Sequence, residues 1–132
     1  MTRFTIDAPT LLHIVSEQLA INPQHQLVAP HAIRSQALTL ILGRVRGGEL
    51  SEQEALTLHT RLTELKIRVL GDRVSRATSF KIANQQHWKT TFDAEYVAVT
   101  MLQADALVTV DPELAAKAEG LVPLAPISAL TE

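Results

Sequence analysis

Short apolar runs alternate with amphipathic segments from one end of this chain to the other. Arg3 to Ile6 reads as a short strand, and Thr10 to Leu19 follows with helical spacing at Leu11, Leu12, Ile14, Val15 and Leu19. Asn22-Pro23 breaks that pattern, and Leu27-Val28-Ala29 is a second buried-type run. Ala32 to Val45 is amphipathic through Ile33, Ala37, Leu38, Ile41, Leu42 and Val45, and Gly47-Gly48 stops it. Ser51 and Glu54 have the spacing of a capping box, which opens a helix to about Leu65. Lys66 to Leu70 alternates like a strand. Asp72 to about Gln86 is helical, with Val74, Ala77, Phe80 and Ile82 or Ala83 expected inward. A further helix runs from Phe92 to Leu102, Ala106 to Val110 is the clearest strand, and Leu121 to Leu124 a last short one. Strands that alternate with helices imply a mostly parallel sheet covered on both faces. The expected fold is therefore a single-domain α/β/α sandwich over residues 1–132, with four or five strands.

The chain has 132 residues, enough for one core and too few for two. Hydrophobic residues make up 46% and charged residues 20%, the balance of a soluble globular domain. No apolar run approaches the roughly 18 residues of a membrane span, and the N-terminus lacks a signal-peptide pattern. Without cysteine there is no disulfide framework and no thiol nucleophile, which suits a reducing, cytoplasmic setting. A formal charge of −2 argues against a protein wrapped in nucleic acid, but not against an enzyme that touches a few phosphates.

Three aspartates sit where an apolar run gives way to a helical pattern. Asp7 closes Phe4-Thr5-Ile6, Asp111 closes Leu107-Val108-Thr109-Val110, and Asp93 opens the helix from Phe92. Each has a local explanation. Asp is a favoured N-cap, Pro112 suits the first helical position, and Thr90 with Asp93 has capping-box spacing. Their joint placement says more. In a parallel α/β fold the carboxyl ends of the strands share one edge, where sites form. Carboxylates gathered there repel one another unless a cation intervenes, and Mg²⁺ or Mn²⁺ suits such hard donors.

Five segments carry a family resemblance. They are Phe4-Thr5-Ile6-Asp7-Ala8, Leu27-Val28-Ala29-Pro30, Arg46-Gly47-Gly48-Glu49-Leu50-Ser51, Thr91-Phe92-Asp93-Ala94-Glu95-Tyr96-Val97-Ala98 and Ala106-Leu107-Val108-Thr109-Val110-Asp111. In this order and spacing the chain resembles a PIN domain of the VapC-like toxin type, with Thr91 to Asp111 the most specific stretch. The resemblance implies a Mg²⁺- or Mn²⁺-dependent endoribonuclease, a toxin held inactive by an antitoxin protein, and a homodimer. Asp7, Asp93 and Asp111 match three of the family's four acids and would be the catalytic and metal-binding residues. The fourth, a glutamate six residues after the proline, is Gln36 here, and the small hydroxyl residue two after the first Asp is Pro9, with Thr10 beside it. Loss of that carboxylate removes one negative charge, which weakens metal binding. The alternative is therefore a PIN-like binding module that is catalytically weak or inactive.

Around the three acids, Thr91 or Thr109 could orient a carboxylate or a bound water, with Gln36 on the wall. Arg44 and Arg46 could meet RNA phosphates from the rim, or simply suit the negative end of a helix. The histidines, at His13, His25, His31, His59 and His87, show no ligand spacing. Glu95 lies two residues beyond Asp93 and so points away on a helix. Trp88 reads as a packing residue. A third reading, a small nucleotide-binding domain, lacks the glycine-rich phosphate loop it would need.

Overall fold

In the computed structural model, which describes residues 1–132, five strands alternate with six helices. The elements are β1 (Thr2–Ile6), α1 (Ala8–Glu17), β2 (His25–Pro30), α2 (Ile33–Arg46), α3 (Glu52–Glu64), β3 (Arg68–Leu70), α4 (Arg73–Gln86), α5 (Phe92–Gln103), β4 (Ala106–Val108), α6 (Pro112–Ala118) and β5 (Leu124–Ala125), followed by a 3₁₀ turn, Ile127–Leu130. All strand pairs are parallel, in the order β3-β2-β1-β4-β5. Phe4 stands opposite Leu27 and Ile6 opposite Val108, so β1 is the centre of the sheet. The architecture is the α/β/α sandwich expected from the alternation, with all five strands parallel.

Parallel strands need crossovers, and the helices provide them. α1, α2 and α3 pack on one another, while α5 lies across β1, β2 and β4 with α4 against it. The core joins Phe4 and Ile6 to Leu11, Leu12 and Ile14 of α1, Ile33 and Ile41 of α2, and Val97 of α5. No helix is long and apolar enough to cross a membrane.

The helix starts follow their caps. Asp7 accepts from the Thr10 N–H, and Ser51 and Glu54 form both bonds of the capping box. The C-terminal turn of α3 is tied to α2 by a side chain. Arg34 donates from Nε to the Leu62 carbonyl at 3.1 Å and from Nη2 to the Leu65 carbonyl at 3.0 Å.

Several expectations are corrected. Val74, Ala77 and Phe80 face outward on α4, with Phe80 64% exposed. The inward positions are Ser79, Ile82 and Ala83, because the Ser79 hydroxyl satisfies itself on the Arg76 carbonyl and can be buried. On α2 only Ile33, Ala37 and Ile41 are buried; Leu38 and Leu42 are exposed. The strand expected through Val110 ends at Val108, and the last strand is Leu124–Ala125 rather than Leu121–Leu124. Thr90 and Asp93 form no capping box. Thr91 is the N-cap of α5, and the Asp93 side chain is engaged elsewhere.

Candidate active site at the carboxyl edge of the sheet

Asp7 follows the central strand directly and is buried, with only 3% of its surface exposed. Its Oδ1 accepts from the Thr10 hydroxyl and N–H, and its Oδ2 accepts from the Thr109 hydroxyl at 2.7 Å. No Lys, Arg or His lies within ion-pair distance of it; the ion pairs of the chain belong to Lys117. Burial therefore pushes the Asp7 carboxyl above the usual aspartate range, opposed by the hydrogen bonds from Thr10 and Thr109.

Thr109 links the first acid to the third. Its Oγ1 donates to Asp7 and accepts from the Asp111 N–H at 3.0 Å. The Thr10 hydroxyl does the parallel task, accepting from the Val110 N–H at 3.0 Å. Two threonines thus lock the β4–α6 turn onto the end of β1. Asp111 caps α6 by accepting from the Glu113 N–H. Asp93, in the first turn of α5, accepts from Lys117 Nζ at 3.0 Å. The acids act on shared neighbours. The Tyr96 hydroxyl is held far above its usual range by burial and then by the charges of Asp7, Glu95 and Asp93. The Lys117 ammonium is held charged by its bond to Asp93, with the charges of Asp93, Glu113 and Asp111 adding to it.

Asp7 and Asp111 follow β1 and β4, and Asp93 lies in the first turn of α5, so all three stand toward the carboxyl end of the sheet. They are not gathered into a ready ion cage, because no three carboxylate or imidazole groups stand close enough to hold one ion. The donor chemistry nonetheless suits Mg²⁺ or Mn²⁺. All three are hard oxygen ligands, and Asp7 is a buried carboxylate that no cation relieves.

The remaining expected residues separate. Gln36 Oε1 accepts from the Tyr96 hydroxyl at 2.5 Å, beside the acids. Thr109 orients Asp7 directly, whereas Thr91 makes no side-chain bond to an acid and serves only as the N-cap position of α5. Arg44 lines an open groove of about 500 Å³ with His13, Glu49, Pro9 and Val110, and the last two flank Asp7 and Asp111 in sequence. Arg46 is exposed in the last turn of α2. Trp88 packs on the core, as expected, and also lies under the Lys117 ammonium, 5.4 Å from the ring centroid. Sequence reading missed Lys117 and Tyr96. Tyr96 stood inside the quoted Thr91–Ala98 segment, three residues after Asp93, and that spacing was its signal. Lys117 had none.

No protein-family model matches the chain, and no curated protein matches it. Among solved structures it is similar to the one titled "Crystal structure of PAE2754 from Pyrobaculum aerophilum". The TM-score is 0.72 at 20% sequence identity, over 98% of this chain and 94% of that one. At this identity the likeness shows the fold alone.

Proposed function

We propose that this edge of the sheet is the active centre of a divalent-cation-dependent endoribonuclease of the PIN type. One observation carries the reading. Asp7 is a buried carboxylate without a cationic partner, at the end of the central strand, and Asp93 and Asp111 lie on the two elements beside it. Asp7, Asp93 and Asp111 are the residues that would hold Mg²⁺ or Mn²⁺. Such an ion, when bound, supplies positive charge at the phosphoryl oxygens and lowers the pKa of a coordinated water. Thr10 and Thr109 fix the Asp7 carboxylate through both of its oxygens, and Gln36 is set by Tyr96. Arg44, on the groove that reaches Pro9 and Val110, offers a positive charge to an RNA backbone. The exposed Leu38 and Leu42 of α2 supply apolar surface for an antitoxin or a second copy of the chain. The absence of cysteine supports a cytoplasmic setting.

Cleavage of a structured RNA with Mn²⁺, for the wild type and Asp93→Asn, tests the reading. Metal-dependent cleavage that falls at least about a hundredfold in the variant is expected, since one ligand and one charge are lost. A second reading, a PIN-like binding module without turnover, is favoured by Gln36 and by the Lys117–Asp93 pair. It becomes the better one if neither protein cleaves with any divalent ion.

A further inference from the structure

A separate cavity opens on the same edge of the sheet, on the β2 side of the strand that leads to Asp7. It holds about 180 Å³ where β2 ends at Pro30 and β3 ends at Leu70, with α4 and α5 at its sides. That is below the roughly 300 Å³ at which pockets for drug-sized molecules begin, and suits a single flat heterocycle. Leu70 and Val99 give it apolar walls, while Arg76 of α4 and Glu95 of α5 bring a cation and an anion to it. The ion pairs of the chain belong to Lys117, so Arg76 and Glu95 face the cavity without pairing. His31 stands exposed on the rim. Its N–H donates to the Leu70 carbonyl at 3.1 Å, and its ring fills the space that Gly71 leaves. A Cβ at residue 71 would stand 2.4 Å from the His31 Cδ2, so the glycine seats the imidazole at the mouth.

We propose that this cavity takes one unpaired guanine base of the RNA strand, and that Glu95 is the residue that selects it. The inference rests on the nuclease reading and deepens it by naming the base recognised beside the acids. Single-stranded RNA is read by stacking a splayed base on a ring such as histidine and by hydrogen bonds to its Watson–Crick edge. A carboxylate accepts only, through two oxygens side by side. Guanine alone among the four bases presents two adjacent donors to match, at N1 and at the N2 amino group. Adenine and cytosine carry an acceptor next to their amino group, and uracil flanks its one N–H with two carbonyls. Each of those sets a lone pair against Glu95. His31 supplies the stacking face, and Arg76 a charge for the adjoining phosphate. Glu95 lies two residues after Asp93 on α5, so one short stretch of RNA can reach both the base cavity and the acids.

Amide chemical-shift titrations with the 5′-monophosphates of guanosine, adenosine, cytidine and uridine, run without divalent ions, test this. The proteins are the wild type, Glu95→Gln, Arg76→Met and Gly71→Ala. The wild type should bind the guanosine nucleotide at least about tenfold more tightly than the other three, the discrimination of one bidentate pair. The shifts should centre on Leu70, Gly71 and Val99. Glu95→Gln keeps the size of the side chain but turns one acceptor into a donor, and should bring the four nucleotides to within about threefold of one another. Arg76→Met should weaken all four by a similar factor and leave their ratio unchanged. Gly71→Ala drives the imidazole from its seat and should weaken the guanosine nucleotide. Equal binding of the four by the wild type overturns the inference, as does a guanosine preference that survives in Glu95→Gln, or no shift at the cavity. The two readings fail separately. A guanosine preference lost in Glu95→Gln, with no RNA cleavage by the wild type, keeps the base cavity and removes the nuclease. Metal-dependent cleavage by a protein that does not distinguish the four nucleotides does the reverse.

Discussion

The Tyr96 hydroxyl donates to the Gln36 amide oxygen at 2.5 Å, 60 positions away along the chain. The amide oxygen is spent on the phenol, and burial, then the charges of Asp7, Glu95 and Asp93, keep that phenol protonated. Gln36→Glu places a carboxylate where the phenol can still donate, and charge assistance strengthens that bond. It also adds a negative charge beside the acids. Without metal the variant should melt lower than the wild type, and with saturating Mn²⁺ it should melt higher. Mn²⁺ affinity should rise about tenfold, a gain of about 1.4 kcal/mol. Paired melts and calorimetry check this.

Asp7 makes stability depend on pH in a defined sense. Its pKa is raised in the folded state, so the native protein prefers the protonated form. Its contribution is fully present below the unfolded value of about 3.9 and is lost as the pH rises through the folded value. At neutral pH the buried carboxylate destabilises the fold. Asp7→Asn should therefore melt higher than the wild type at pH 7, and the difference should shrink as the pH falls into the carboxylate range. Metal-dependent stabilisation should disappear in the same variant.

Thr5 lies in the central strand with none of its surface exposed, and its hydroxyl has no hydrogen-bond partner. A buried, unpaired hydroxyl costs about 1–3 kcal/mol. Thr5→Val keeps the shape and the β-branching and removes the polar atom. Urea denaturation should show a higher midpoint at an unchanged slope.

Arg34 joins α2 to the end of α3 through two carbonyls. Arg34→Met keeps the aliphatic stem and deletes both bonds. Hydrogen bonds from a charged group contribute about 1.5–3 kcal/mol, so a loss in that range is expected in urea. Mn²⁺ affinity should not change, since Arg34 contacts none of the three aspartates.

Much of the fold was legible because parallel sheets bury both faces of a strand. Phe4-Thr5-Ile6 and Leu107-Val108 read as continuous apolar runs with helical periods between them. Asp7 and Asp111 were legible because each closed an apolar run before a helix, and Asp93 because it stood at the start of one. The inner face of α4 was not, since Ser79 goes inward on a bond to its own helix while Phe80 is left outside. Lys117 was not legible either. On a seven-residue helix a lysine reads as a solvated charge, and only the crossing of α5 near α6 gives it Asp93. Nor could spacing tell that the Thr10 hydroxyl would also accept from the Val110 N–H, because that bond depends on where β4 ends.

The placement of β1 between β2 and β4 has a consequence for the newly made chain. Thr109 and Asp7 are 102 residues apart in sequence yet share a hydrogen bond. β1 is made before β2 and can pair with it early, but its other edge stays open until Ala106–Val108 emerges. Contacts of such sequence separation close late and slowly. During translation Asp7 is therefore solvated, without Thr109, Asp111 or Lys117, and the site does not yet exist. A chain stalled before β4 exposes an unpaired sheet edge open to aggregation or proteolysis, and it holds Asp7 without the partners that fix it in the folded protein.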